Sequence, residues 1–183
     1  MRGLLLTLLL FLTLSHSMHL QLLATTPAIS VFYDTENEWL YLDWQGDLTL
    51  KAVQAGCTAV AECFLRNNYV RVLNDNSNVT SLSREVASWL ATEFLPYMRL
   101  TTIEYIAWTY SPDMDTQSWT NIALHQVDGP IVAMFDDVES AYAWLREVKF
   151  RSPGFSALQP AHIIDAKRQI RSQLEAALSR SEQ

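Results

Sequence analysis

Few residues of this chain belong to the kinds that carry catalysis, hold metals or cradle phosphate. Its 183 residues include five glycines, and nowhere do these form the glycine-rich turn that lets a backbone wrap a phosphate or the tight elbow that presents a serine nucleophile. A dinucleotide-binding domain is thereby disfavoured, whatever the fold class. The four histidines (His16, His19, His125, His162) are scattered, and none stands at ligand spacing from another histidine or a cysteine, so no metal centre is expected. Two cysteines, Cys57 and Cys63, fall six apart in what reads as one helix. That spacing is about 9 Å of axial rise on different faces, which prevents their pairing and leaves two small buried hydrophobes as the simplest reading.

Positive charge is also scarce. Thirteen Lys/Arg face twenty Asp/Glu, a net charge of -7. The imbalance lies in residues 1–148, with seven basic against seventeen acidic side chains, whereas 149–183 hold six against three. An acidic domain without a basic patch repels phosphate backbones, so nucleic acid is not an expected partner. No apolar run approaches the roughly 20 residues that span a bilayer. The longest, Leu4 to Leu14, is broken by Thr7 and Thr13 and followed by Ser15-His16-Ser17. This is the layout of a signal peptide at residues 1–17, implying export. The competing reading is translation from Met18, with a cytoplasmic product, and the lack of export features downstream favours it. Asn78-Val79-Thr80 matches a glycosylation sequon, which matters only for a secreted chain.

Apolar residues make up 49% of the chain and aromatics 11%, with six tryptophans. That is enough for a sizeable core in one domain. Ile29–Tyr33 and Trp39–Trp44 are predicted strands joined by a five-residue polar loop. A helix carries Val53, Cys57, Val60, Ala61 and Phe64 at a period near 3.6. A short strand, Val70–Leu73, is closed by the polar run Asn74–Asn78. A second helix begins at Ser81 or Ser83 and stops around Pro96. There follow a strand at 103–110, a helix at 113–125 with Trp119, Ile122 and Ala123 inward, a strand at 130–135, and a last helix capped by Asp136 or Asp137. The order β-β-α-β-α-β-α-β-α predicts an α/β domain with a mostly parallel sheet and helices packed on it. The folded domain is placed at 29–149, with an extension at 18–28. Beyond the linker Arg151–Gly154, the 150–183 tail carries an amphipathic pattern on Ile163, Ala166, Ile170, Leu174 and Ala177.

The segments VFYDTENEWLYLDWQGDLT, VRVLNDNSNV, ATEFLP, IEYIAWTYSPD and FDDVESAYAWLRE, taken in this order, resemble the bacterial SpoIIAA-like group of small STAS-fold proteins over residues 29–149. The resemblance implies a small non-enzymatic interaction or regulatory module that binds a protein partner or dimerises, with lipid or nucleotide binding in some members and a distant kinship to CRAL-TRIO-type lipid-binding domains. In some relatives a phosphorylated serine lies at the helix after the third strand. By position that falls on Ser81 or Ser83, although the Asp-Ser-Ser-Gly phrase is replaced here by Thr80-Ser81-Leu82-Ser83.

Other candidates are weaker. Asn74 to Glu85 has the spacing of a calcium loop but lacks its early carboxylates and its glycine, so a polar loop is the simpler reading. Asp113-Met114-Asp115-Thr116 resembles the nucleophile phrase of phosphate-transferring hydrolases, with Asp136-Asp137 as a second pair. Helix capping explains the same aspartates without chemistry. The acidic hairpin loop (Asp34, Glu36, Glu38) is most simply a solvated turn. The aromatic set Trp39, Tyr41, Trp89, Trp108 and Tyr110 is the sharper candidate, as core or as a groove for an amphiphile or another protomer on one sheet face. No cofactor is expected. The functional expectation is an interaction module, with a binder of a small amphiphile or lipid as the alternative and an Asp113/Asp115 hydrolase as a remote one.

Overall fold

The computed structural model describes residues 19–125, 127, 129–148 and the single position 172. The leader at 1–17 and, apart from Ser172, the amphipathic tail therefore lie outside the described residues. Six strands form one sheet in the order β1 to β6: β1 Leu20–Thr26, β2 Ile29–Asp34, β3 Trp39–Leu48, β4 Arg71–Leu82, β5 Tyr105–Thr109 and β6 Ile131–Phe135. The first two pairings are antiparallel and the remaining three parallel. Among the described residues four α-helices connect or follow the strands: α1 Leu50–Arg66, α2 Arg84–Trp89, α3 Met114–Leu124 and α4 Val138–Glu147. The expected α/β class and mostly parallel sheet are what the chain adopts. Among the described residues no helix is long and apolar enough to cross a membrane.

Two differences from the sequence reading concern strands. The folded part starts before Ile29, because 20–26 form β1, an edge strand paired along β2 with a bulge between Leu22 and Ala24. The bulge breaks the alternation by which a half-buried strand is recognised. The second difference is larger: Asn74–Asn78 is not a loop, and β4 runs through it to Leu82.

Local chemistry starts each helix, with caps at Ser83, Asp113 and Asp137 as expected and at Thr49 beyond the sequence reading. Thr49, Ser83, Asp113 and Asp137 are the N-caps, their side chains accepting from Ala52, Val86, Thr116 and Ser140 N–H groups. Helix α2 loosens into a wide π turn at Leu90–Phe94 and a 3-10 stretch at Leu95–Leu100, where Pro96 lacks the N–H that would continue the α-helix. The hairpin loop is closed by buried Asp34, whose carboxylate accepts from the Glu36 and Asn37 N–H groups, both at 3.0 Å.

Alternation along the strands divides the core in two. Leu42, Trp44, Val72, Ile106 and their neighbours pack beneath α1, α2 and α3. On the opposite side Trp39, Leu73, Tyr105 and Ala107 pack against Ala141, Tyr142 and Leu145 of α4. Helix α1 approaches the sheet closely at Gly56, where a Cβ would lie 2.6 Å from the Trp44 ring. In α3, Ala123 is buried as expected, whereas Ile122, expected inward, is exposed. The three-to-four spacing placed it one position outside the narrow buried stripe of Thr116, Thr120 and Ala123.

Candidate functional site

Strand β4 carries the unusual chemistry of the molecule. Asn74, Asp75 and Asn76 are all buried in its middle, where an isolated polar side chain is costly unless bonded. Against β3 the register shifts after the Asp43–Asp75 pair, so that Asn76 and Ser77 lie in an irregularity opposite Trp44. A bulge of this kind redirects side chains and marks places where a regular ladder is given up.

On the α4 side Asp75 gathers its hydrogen bonds, while Trp39 Nε1 and Asp43 Oδ1 on the same side have no partner. The Asp75 carboxylate accepts from Tyr41 Oη at 2.8 Å, Thr109 Oγ1 at 2.9 Å and the Ser77 N–H at 2.9 Å. Burial, and then the Asp75 charge and hydrogen bond, hold the Tyr41 hydroxyl well above its ordinary pKa. Asp43, beside Asp75 in the register, is also raised, by burial first and by the Asp75 charge, against the pull of Asn78.

On the other side lies a cavity of about 70 Å³ beneath α1, α2 and α3, lined chiefly by apolar side chains such as Leu42, Val60, Val79, Phe94 and Ile106. The wide turn after Trp89 places Leu90, Phe94 and Leu95 on its wall. Cys57 contributes a thiol that burial pushes far above its usual pKa, which leaves it an inert wall group. Asn74 and Trp108 also line the cavity, and they are register partners on adjacent strands. The Trp44 indole donates to Asn74 Oδ1 at 3.1 Å. Neither Asn74 Nδ2 nor Trp108 Nε1 has a hydrogen-bond partner. The Thr116 hydroxyl also borders the cavity. It makes no hydrogen bond of normal geometry, yet it lies close enough to Asp113 to help hold that exposed carboxyl below its ordinary value, together with the Thr116 N–H.

The aromatic set expected on one face is split. Trp39 and Tyr41 belong to the α4 side, where Trp39 meets Tyr142 edge-on at 5.0 Å. Trp89 and Trp108 belong to the helix-covered side, and Trp89 stacks on Phe94. Tyr110 follows β5 and donates to Asn121 Oδ1 at 3.0 Å. The split follows from odd and even positions: Trp39 pairs with the face of Leu73, Trp108 with that of Asn74.

Of the serines, Ser83 is exposed and caps α2, whereas the Ser81 hydroxyl donates to the Asp47 carboxylate. A phosphate at Ser81 would face that carboxylate as a like charge. The calcium-loop spacing over Asn74–Glu85 is overturned by β4, since an extended strand cannot gather six ligands around one ion. Asp113 is engaged in capping α3 at 2.7 Å, and Asp137 caps α4 at 2.7 Å. Among the described residues no three His, Cys, Asp or Glu side chains stand together to hold a metal. Sequence reasoning passed over Asn74 as part of a loop. The signal that marks it is the strand pattern Arg71 to Leu82, visible only once the polar run is allowed to be buried.

No protein-family model matches the chain, and no curated protein matches it significantly. Among solved structures, one similar chain is an uncharacterised protein from Shewanella loihica PV-4, of the DUF3478 family, with a SpoIIAA-like fold. Its identity to this chain is 19%, over 67% of this chain and 98% of that one, with a TM-score of 0.45.

Proposed function

We propose that this domain is a binding module that holds a small, largely apolar molecule in the cavity beneath α1, α2 and α3. The observation that carries this reading is the cavity itself: about 70 Å³ left open inside a core that is otherwise closely packed. A single water needs about 10–15 Å³ of such space and two to four polar partners. The volume would take several waters, but the wall is mostly apolar, its polar side chains being Asn74, Asn76, Thr116 and Thr120 beside the Trp44 and Trp108 indoles. A mostly apolar hollow with a few polar groups at one place is the usual form of a small-molecule site.

The test is titration of the full chain with the neutral dye N-phenyl-1-naphthylamine, whose emission rises on transfer to an apolar site. Saturable binding is expected, weakened about tenfold or more in Ala123→Leu, which puts a larger side chain on the cavity wall. Equal binding to both proteins, or none to either, would overturn the reading.

A second reading, docking of a protein partner or a second copy, is favoured by the two sheet edges. Leu22 of β1 is 54% exposed and Ile131 of β6 is 45% exposed, and an uncovered edge strand is a ready template for pairing. Sedimentation equilibrium tests it: a monomer at 100-fold dilution and at stock concentration alike removes self-association.

A further inference from the structure

We infer that the cavity selects a neutral molecule bearing a carbonyl oxygen, a ketone, aldehyde or ester, which Asn74 and Trp108 hold by hydrogen bonds, and that it rejects the corresponding carboxylate. This rests on the cavity reading above and adds the chemistry of the ligand's polar end.

The orientation of the Asn74 amide is fixed by its neighbour. An indole N–H can only donate, so the amide atom 3.1 Å from Trp44 Nε1 must be the oxygen. The amide nitrogen is therefore turned away from Trp44, buried with the residue at 4% exposure and without a partner. Trp108, the register partner of Asn74 on β5, brings a second donor to the same cavity, its indole N–H also buried and unpaired. Neither group can accept, and an acceptor is what both lack. Buried polar groups left unsatisfied are rare in native cores, and each is explained most directly by something that bonds it. A carbonyl oxygen has two lone pairs and so can accept from both donors at once.

Charge argues against an anion at the same place. Among the described residues no lysine, arginine or histidine lines the cavity, and the strand that carries Asn74 continues into Asp75. A carboxylate moved there would lose its hydration without a countercharge, which is far more costly than burying a ketone.

The test is competition against the bound dye by three molecules of similar length: 2-nonanone, nonane and octanoate. At pH 8 the ketone is expected to displace the dye at a concentration about tenfold lower than nonane, and octanoate to be the weakest. Octanoate should gain affinity as pH falls toward 4, where it binds as the neutral acid. Trp108→Phe keeps an aromatic ring but removes the N–H together with the five-membered ring that carries it, so each variant's ketone affinity is read against its own nonane affinity. The substitution should reduce the ketone's advantage over nonane about threefold. Asn74→Leu should do the same, but it also orphans the Trp44 N–H, so Trp108→Phe decides. Nonane matching 2-nonanone, or an advantage untouched by Trp108→Phe, would overturn the carbonyl inference while leaving the cavity reading intact. Octanoate binding best at pH 8 would overturn the exclusion of anions. If the dye itself finds no site, the cavity reading fails, and this inference with it.

Discussion

The two faces of the sheet carry the same kinds of residue and treat them differently. One strand, β4, sends Asp75 to the α4 side and Asn74 to the side covered by three helices. Asp75 is surrounded by three donors within 2.9 Å, and the core next to it includes Trp39, Leu73, Ala107, Ala141 and Leu145 with no exposure. Asn74 is bonded through its oxygen only, and it lines the cavity. A polar group closed within a network holds the strand in register. A polar group left half bonded beside a cavity costs stability, and the proposed ligand would recover that cost.

If that contrast is right, breaking the closed side should do most damage. Asp75→Ala removes three hydrogen bonds and leaves Tyr41 Oη without its acceptor in a half-buried position. A loss of about 3 kcal/mol in urea unfolding is expected. A loss below about 1 kcal/mol would show that β4 is held by its backbone ladder alone. The next test applies one substitution to both faces. Ala141 of α4 and Ala123 of α3 are both buried helix alanines, but only Ala123 borders the cavity. Ala141→Leu should overpack its side and cost about 2 kcal/mol or more. Ala123→Leu should stay within about 1 kcal/mol of the parent, because the added carbons enter empty space. Equal costs would mean that the two faces are equally well filled.

The sequence made the closed side legible and hid the open one. Tyr142, Ala141 and Leu145 recur at helical spacing after an aspartate cap, and α4 is where that pattern puts it. The strands at 29–34, 39–48, 105–109 and 131–135 follow from β-branched and aromatic runs between turn residues. The polar run Asn74–Asn78 defeated the same reasoning. Asn, Asp and Ser usually mark a turn because they bond their own backbone, and Asp75 does bond the Ser77 N–H. Its stronger partners, Tyr41 and Thr109, lie 34 residues away in either direction. Such pairings exist only after the sheet has formed, and no local pattern announces them. The aromatic set was misassigned for a related reason. Trp39 and Trp108 lie on strands whose relative register decides the face, and a one-residue difference moves a side chain through the sheet.

The smallest effect concerns Asp43, which shares the α4 side with Asp75 but stands outside its network. Its carboxyl is raised above the ordinary value, by burial first and by the neighbouring Asp75 charge. Because the folded state binds the proton more tightly than the unfolded chain does, ionising Asp43 disfavours folding. The stability associated with the protonated form is fully present below the unfolded pKa and is lost as pH rises through the folded one. At neutral pH Asp43 is therefore a liability, reduced because the side chain is only half buried and water screens its charge. Asp43→Asn removes the charge and keeps the shape. It should raise stability at pH 7 by about 0.5 kcal/mol, and the gain should shrink as pH falls toward and below the ordinary aspartate range of about 3.9. Urea midpoints of both proteins at pH 7 and at about pH 4 measure it. A gain equal at both would place its origin in packing, and a loss at pH 7 would show that the Asp43 carboxylate, like Asp75, is held by bonds that its neighbours on β4 supply.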